Sequence, residues 1–457
     1  MSVDHEVDVV VIGLGPGGED AAGQLAEAGL DVVGIEGELV GGECPYWGCV
    51  PSKMMVRAAD LVAEVGRSNR LAGPASVHPT WTLVARRIRD EATDTWDDRA
   101  AVERLEARGA HLVRGWGRLE GDGRVAVGDR SFRARRGVVL NPGTRPSVPP
   151  VPGLEGTPFW TNRGAIEAES VPPRLAVLGG GAIGAELAQV FARFGSRVTV
   201  LEAGPRLLGP EEPESASLLA EVFAEEGLEV RTGVEVTSVS HDGSVFTLTT
   251  ATGVPVVAER LLVATGRHSD LASLGVEAVG LDPAMRTIPV DDRMRVVGAA
   301  GLWAVGDATG RGQFTHVSMY QAGIVVADVL GRPLEPADYR ALPRVTFTDP
   351  EIGSVGMGEA QAREAGIRVR TGFAELATSS RGAIHDGGNR GFVKVVEDAD
   401  RGVLVGATSA GPTGGEVLGL LALAVHAEVP TERLRHMIYA FPTFHRTIET
   451  AVKDLAG

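Results

Sequence analysis

The sequence predicts an α/β protein in which two Rossmann-like dinucleotide-binding domains are followed by a C-terminal α+β domain. Three observations carry that expectation. A glycine-rich turn, Gly13-Leu14-Gly15-Pro16-Gly17-Gly18, sits between an apolar β-rich run (residues 7–12) and a helical pattern (19–28). The same arrangement returns at Gly179-Gly180-Gly181-Ala182-Ile183-Gly184, with a strand pattern at 174–178 and a helical one at 185–194. From Pro343 onward, short strand patterns (344–348, 392–397) alternate with helical ones (359–365, 414–426), as in an α+β domain. Four segments are expected: a first domain over 1–149, an inserted one over 150–272, a return to the first over 273–340, and a closing domain over 341–457.

Each element has a local reason. Gly13 permits the tight turn out of the first strand, Gly15 lets backbone approach a pyrophosphate, and Gly18 lets the helix pack close to the strand. The helix N-terminus then offers N–H groups and partial positive charge to phosphates. The next strand (31–35) ends at Glu36, placed to accept hydrogen bonds from a ribose diol. In the second unit Gly179, Gly181 and Gly184 take the same three positions, and the following strand (197–201) ends at Glu202. A carboxylate there favours the free 2′-hydroxyl of NAD over the 2′-phosphate of NADP, a preference that Arg206 could soften. Two fingerprints mean two dinucleotide sites. Between them, residues 87–107 read as one long charged helix. Two later apolar strands close on Gly266 and on Gly306-Asp307, the shape of backbone that passes close to a ligand.

The cysteines bring the chemistry. The chain holds only two, Cys44 and Cys49, in Gly42-Glu43-Cys44-Pro45-Tyr46-Trp47-Gly48-Cys49-Val50-Pro51-Ser52-Lys53. Random placement would bring two thiols this close about 2% of the time. The pair is therefore read as a two-electron unit, dithiol or disulfide, rather than as two small core residues. Five residues of ideal helix rise about 7.5 Å, beyond the ~7 Å Cα limit of a disulfide, so the segment must be a distorted turn. Pro45 and Gly48 fit that. A strained disulfide beside a cation is the easier one to reduce. Lysine occurs only at Lys53, Lys394 and Lys453, which draws attention to the one beside the cysteines. The net charge of -16 argues against nucleic acid or an anionic membrane as partner. No apolar run approaches the ~18 residues of a membrane helix. The acidic opening, Met1-Ser2-Val3-Asp4-His5-Glu6, shows no signal-peptide pattern, so a cytoplasmic enzyme is expected. No metal site is expected.

On these residues the chain resembles the class I pyridine nucleotide–disulfide oxidoreductases, over essentially its whole length and in the same order. This is the flavin-dependent family of dihydrolipoamide dehydrogenase, glutathione reductase, mycothione reductase and mercuric reductase. The cysteine segment is the most specific match; the stretch from Phe347 to Gly356 is similar to the opening of the family's dimerisation domain. The resemblance implies FAD on Gly13, Gly15, Gly18, Glu36, Gly42, Gly143, Gly306 and Asp307. It implies NAD, NADH in preference to NADPH, on Gly179, Gly181, Gly184 and Glu202, with Gly266 beside a dinucleotide. Cys49 would lie against the flavin as its charge-transfer thiol, and Cys44 would be the outer thiol that attacks substrate. Lys53 would lie near the flavin N5 and pair with Glu186, and Asp307 would bond the ribityl chain. The implied enzyme is a homodimer that passes electrons from NADH through flavin to a Cys44–Cys49 disulfide and on to a small disulfide or dithiol.

The far end departs from that pattern. The family ends in His-Pro-Thr-x-x-Glu, whose His is the acid–base and whose Glu orients it. Here Phe441 stands in the histidine position and Arg446 in the glutamate position. General acid–base help is typically worth 10²–10⁴-fold, so three readings stay open. His445, one helical turn beyond Phe441 and oriented by Glu449, replaces the base. Alternatively the acceptor is a quinone, metal ion or oxygen that needs no such base, for which Phe441, Tyr46 and Trp47 offer an aromatic surface. Or His445 and Glu449 are interface residues and the proton is left to Tyr439, His316 or water. A redox sensor without efficient turnover is the reading from another class. A second departure is Asn141-Pro142-Gly143-Thr144, where the family has Ala-Thr-Gly-Ser/Thr. With no C-terminal cysteine pair, mercuric reductase and the larger thioredoxin reductases are disfavoured.

Overall fold

In the computed structural model, which describes residues 4–455, strand β1 (Asp4–Ile12) runs through the first glycine turn into helix α1 (Pro16–Glu27) and strand β2 (Val32–Glu36). Met1, Ser2 and Val3 of the opening segment lie outside the described residues, as do 456 and 457. β1 and β2 pair in parallel, with Val9 opposite Val32 and Ile12 opposite Ile35, as a helical crossover demands. The sheet continues to His111–Arg114 beyond β2 and to Arg130–Leu140 beyond β1; Leu302–Ala304 pairs with the end of the latter. Val9, Val10, Val11, Val138, Val139 and Leu140 are fully buried. A parallel sheet covered on both faces reads as such continuous apolar runs. This sheet belongs to the first of two compact units, made of Met1–Pro51, Arg86–Ser147 and Gly266–Asp338.

The second unit comprises Ser52–Ala85, Val148–Thr265 and Tyr339–Gly457. It holds a four-stranded parallel sheet in the order Glu229–Thr232, Arg197–Glu202, Arg174–Leu178, Arg260–Val263, joined in sequence to a three-stranded antiparallel sheet. It also holds a five-stranded antiparallel sheet, in the order Pro343–Thr346, Glu351–Gly356, Val403–Gly411, Phe392–Asp398, Val369–Glu375. Helices Gly414–His426 and Arg446–Asp454 pack on that sheet and close a core of Val393, Val395, Leu418, Leu421, Ile448 and Val452.

The cysteine segment is a broken helix. Helix α2 (Glu43–Tyr46) stops at Trp47, and helix α3 (Cys49–Arg67) begins at the second cysteine, the distortion that disulfide geometry asks for. Residues 52–85, expected with the first segment, group with the second unit. They are held there by Asp60 on Arg193 and by Trp81, whose ring stacks on Phe191 and whose indole N–H donates to Ala168.

The single helix expected over 87–107 is corrected. The helix Trp81–Arg87 runs into a wider turn at Ile88–Ala92, and a new helix starts at Arg99. The Thr93 hydroxyl takes the Ile88 and Arg89 carbonyls, a local bond that competes with helix continuation. Asp94, Thr95 and Trp96 then adopt positive φ. Asp98 restarts the chain because its carboxylate accepts from the Val40 N–H and from Arg114, tertiary partners that helical periodicity does not reveal.

Candidate active site

In the first unit the turn after β1 admits only glycine where it bends. Gly13 has φ +87°, and a Cβ there would fall 2.0 Å from the Asn141 carbonyl oxygen. A Cβ on Gly18 would fall 2.0 Å from the Gly13 carbonyl, so α1 packs directly on the turn. Gly42, at φ +68°, lies against Gly15: its Cβ would stand 2.8 Å from the Gly15 Cα. The stretch that opens the cysteine segment is therefore seated on the turn, with the Gly41 N–H bonded to the Leu14 carbonyl at 2.7 Å. Glu36, buried at the end of β2, accepts from the Leu14 and Glu38 N–H groups at 2.8 Å each. Burial raises its pKa.

Asn141 accounts for the departure at that position. Its carbonyl accepts from Gly18 N–H at 2.8 Å and its amide donates to the Val305 carbonyl at 3.1 Å. One buried side chain thus ties the glycine turn to the strand end before Gly306-Asp307. Asp307 is half-buried, and its partial desolvation raises its pKa. It accepts from the Thr144 hydroxyl at 2.6 Å; that hydroxyl in turn accepts from Arg267 at 2.8 Å. Gly143 and Gly266 carry positive φ with open space where a Cβ would stand. Bare backbone at a helix N-terminus, with a carboxylate at the end of each flanking strand, fits a dinucleotide such as FAD.

The two cysteines are thiols with no disulfide between them, Cys44 half-buried and Cys49 exposed. Their sulfurs lie within hydrogen-bond reach, and Thr315, at the start of helix Thr315–Val329, bonds both, its oxygen 3.4 Å from the Cys49 Sγ. The Cys44 thiol is pushed well up, first by its hydrogen bond to Cys49 and then by burial. Neither Thr315, Asn141 nor Arg267 was legible as a site residue. All three lie far along the chain from their partners, Arg267 being 123 residues from Thr144.

In the second unit the other turn has the same architecture. Gly179 has φ +110°, and its Cβ would meet the Ala264 oxygen at 2.4 Å; a Gly184 Cβ would meet the Gly179 oxygen at 2.1 Å. Gly181 faces open space at the N-terminus of helix Ala182–Arg193. Glu202 accepts from the Gly180 and Gly204 N–H groups, both at 2.6 Å. Arg206 turns away, donating to the Gly209 and Glu211 carbonyls. The turn fits a nicotinamide dinucleotide. Lys53, one helical turn beyond Cys49 on α3, donates to Glu186 at 2.6 Å. The other Glu186 oxygen accepts from the Phe347 N–H at 2.8 Å, and the Phe347 ring lies 4.7 Å under the Lys53 ammonium.

The C-terminal expectation is corrected. Phe441 to His445 is not helical: a cis Phe441–Pro442 bond and turns precede the helix, which starts at Arg446 with His445 as its cap. Phe441 and His445 thus share no helical face. The Glu449 carboxylate is taken by Lys453 at 2.6 Å and Arg446 at 3.4 Å, which hold it below the usual range. It does not orient His445, whose exposed imidazole makes no hydrogen bond among the described residues. Arg446 stacks over the Phe441 ring at 5.3 Å, so the residues in the family's His and Glu positions form a cation–π pair. Tyr439 is buried, bonded to the Leu434 carbonyl and pushed up to about 12 by burial, a poor proton donor near neutral pH. His316 stacks on Phe314.

Among the described residues no helix is long and apolar enough to cross a membrane. Residues 7–322 match the family model "Pyridine nucleotide-disulphide oxidoreductase", and 342–452 match its dimerisation domain. The chain is 33% identical to a mercuric reductase of Acidithiobacillus ferrooxidans, over 98% of this chain and 82% of that protein. It is 32% identical to a dihydrolipoyl dehydrogenase of Chlorobaculum tepidum, over 98% and 97%. Among solved structures, the Cu(II) complex of the HOCl-induced flavoprotein disulfide reductase RclA from Escherichia coli superposes with TM-score 0.86 at 27% identity, covering 98% of this chain and 99% of that one. LpdA from Mycobacterium tuberculosis gives 0.86 at 25% identity, over 99% of each. With the paired turns, the adjacent thiols and the closing domain in place, the chain belongs to the pyridine nucleotide–disulphide oxidoreductase family and is a flavin-dependent disulfide oxidoreductase.

Proposed function

We propose that this enzyme reduces a small disulfide, or reversibly oxidises the corresponding dithiol, with NADH as the preferred nicotinamide and as a homodimer. The net reaction is NADH, a proton and one disulfide giving NAD⁺ and two thiols. The observation that carries it is the pair of thiols within bonding reach at the break between two helices, with Thr315 against both. FAD, held by Gly13, Gly15, Gly18, Glu36, Gly42, Gly143, Gly306 and Asp307, would supply two-electron transfer between the nicotinamide and the cysteines.

The chain's own steps are thiol exchange. The Cys44 sulfur attacks one sulfur of the substrate, forming a mixed disulfide and expelling the first thiol, which takes a proton. The Cys49 sulfur then attacks Cys44, expels the second thiol with its proton and closes the Cys44–Cys49 bond. Lys53, fixed by Glu186, places a cation at the centre that Cys49 begins. Glu202 supports NADH, because its carboxylate is aimed at the turn while Arg206 is engaged elsewhere and cannot greet a 2′-phosphate. The segments 1–149, 150–272, 273–340 and 341–457 are proposed as FAD, NAD, FAD and dimerisation parts.

Steady-state assays with lipoamide, glutathione disulfide, mycothiol disulfide, quinones and Cu(II) test this. Turnover with a disulfide that is lost in both Cys44→Ser and Cys49→Ser is expected. Quinone or metal turnover unaffected by either change, with no disulfide accepted, would sink the proposal.

A further inference from the structure

Lys53, Asp60 and Arg67 recur every seventh residue on α3, and Glu186 and Arg193 are seven apart on helix Ala182–Arg193. They meet in matched rungs. Lys53 bonds Glu186 at 2.6 Å, and Asp60 bonds Arg193 at 2.8 Å, both pairs separated by 133 residues. The two helices therefore run parallel and in register along a seven-residue face. Charge alternates along each: cation then anion on α3, anion then cation on its partner. Sliding one helix by a heptad would set Lys53 against Arg193 or Asp60 against Glu186, so the wrong register meets like charge.

A third segment braces the ladder. Asp349 accepts from Arg193 at 2.7 Å and from Arg67 at 2.6 Å, while Gln189 bonds both the N–H and the carbonyl of Asp349. That segment begins at Phe347, the residue whose N–H holds Glu186. Arg193 is only 5% exposed, with Glu226 as a further partner at 2.6 Å. Beside it lies a cavity of about 390 Å³ bordered by Ala63, Arg67, Arg193, Glu226 and Asp349. The ion pairs border this open space and set the helix offset there.

We propose that Asp60 and Arg193 are positioning residues for the Lys53–Glu186 pair, locking the helix register that sets where the Lys53 ammonium stands. Neither touches the reacting atoms; both act through Lys53. The inference rests on the proposed role of Lys53 at the redox centre.

The test is a double-mutant cycle in the holoenzyme, read as the flavin reduction potential beside the thermal midpoint. A nearby cation stabilises the reduced flavin, so Lys53→Met is expected to lower the potential. Asp60→Asn, a near-isosteric change that spares the fold, and Arg193→Lys should lower it by a fraction of that amount. Each should also slow flavin reduction by NADH by about tenfold, the cost of a small misplacement. Both effects should vanish in the Lys53→Met background. Shifts that persist undiminished there, or a thermal midpoint that falls with the potential unmoved, overturn the positioning role. If Lys53→Met itself leaves the potential unchanged, the role of Lys53 fails and this inference fails with it.

Discussion

Cys44 is held in its thiol form by a hydrogen bond to Cys49 and by burial, and the residue that would take its proton in related enzymes is replaced by Phe441. The thiolate is the nucleophile. With the Cys44 pKa pushed up, its thiolate fraction at neutral pH is small and grows about tenfold with each pH unit below that pKa. The kcat/KM for a disulfide substrate is therefore expected to climb steadily from pH about 7 to 9; a flat profile over that range removes the explanation. Cys44 and Cys49 were legible because two thiols in so long a chain stand out. Thr315 was not, since a threonine 266 residues from its partner carries no local signal.

Among the elements, the α3 ladder makes a second pH prediction, this one for stability. The Asp60 pKa is raised to about 6: burial, and after it the Asp349 carboxylate, push it up, while Arg193 and Arg57 oppose the rise without cancelling it. The folded chain keeps this proton up to about pH 6, whereas the unfolded chain releases it near 4. Between those values the folded state binds more protons, so the contribution of Asp60 favours folding at low pH and is lost as pH rises to about 6. Asp60→Asn should flatten the stability curve in that window, read as urea midpoints at pH 4, 5, 6 and 7. An unchanged slope would show that the carboxyl titrates elsewhere. The strand–turn–helix units were legible at this scale because a close turn excludes every side chain but hydrogen. The break within 87–107 was not, because Asp98 answers to Val40 and Arg114 rather than to its neighbours.

For the whole molecule, the chain carries two dinucleotide turns in two compact units and the dimerisation domain of its family. The Phe441–Arg446 stack replaces an acid–base pair that the resemblance places across the dimer. Restoring that pair as Phe441→His with Arg446→Glu should raise disulfide kcat/KM at pH 7 by about 10²-fold and flatten the pH profile. His445→Ala should stay within about twofold of the parent, because Glu449 is committed to Lys453. No gain from the double change, or a large loss from His445→Ala, would show that the proton travels by another route.

The sequence by itself determined the family, the two nucleotide turns, the redox cysteines and the loss of the usual base. Each of these is written in short-range spacing, where sterics and covalent reach leave few alternatives. Tertiary structure alone decided that His445 and Glu449 do not pair and that Thr315 serves both thiols. It alone placed Asn141 on the first turn and set Asp60 on Arg193 as a second rung beside the Lys53–Glu186 pair. These contacts join residues distant in the chain, and helical or strand periodicity records which face a residue occupies but not what meets it there.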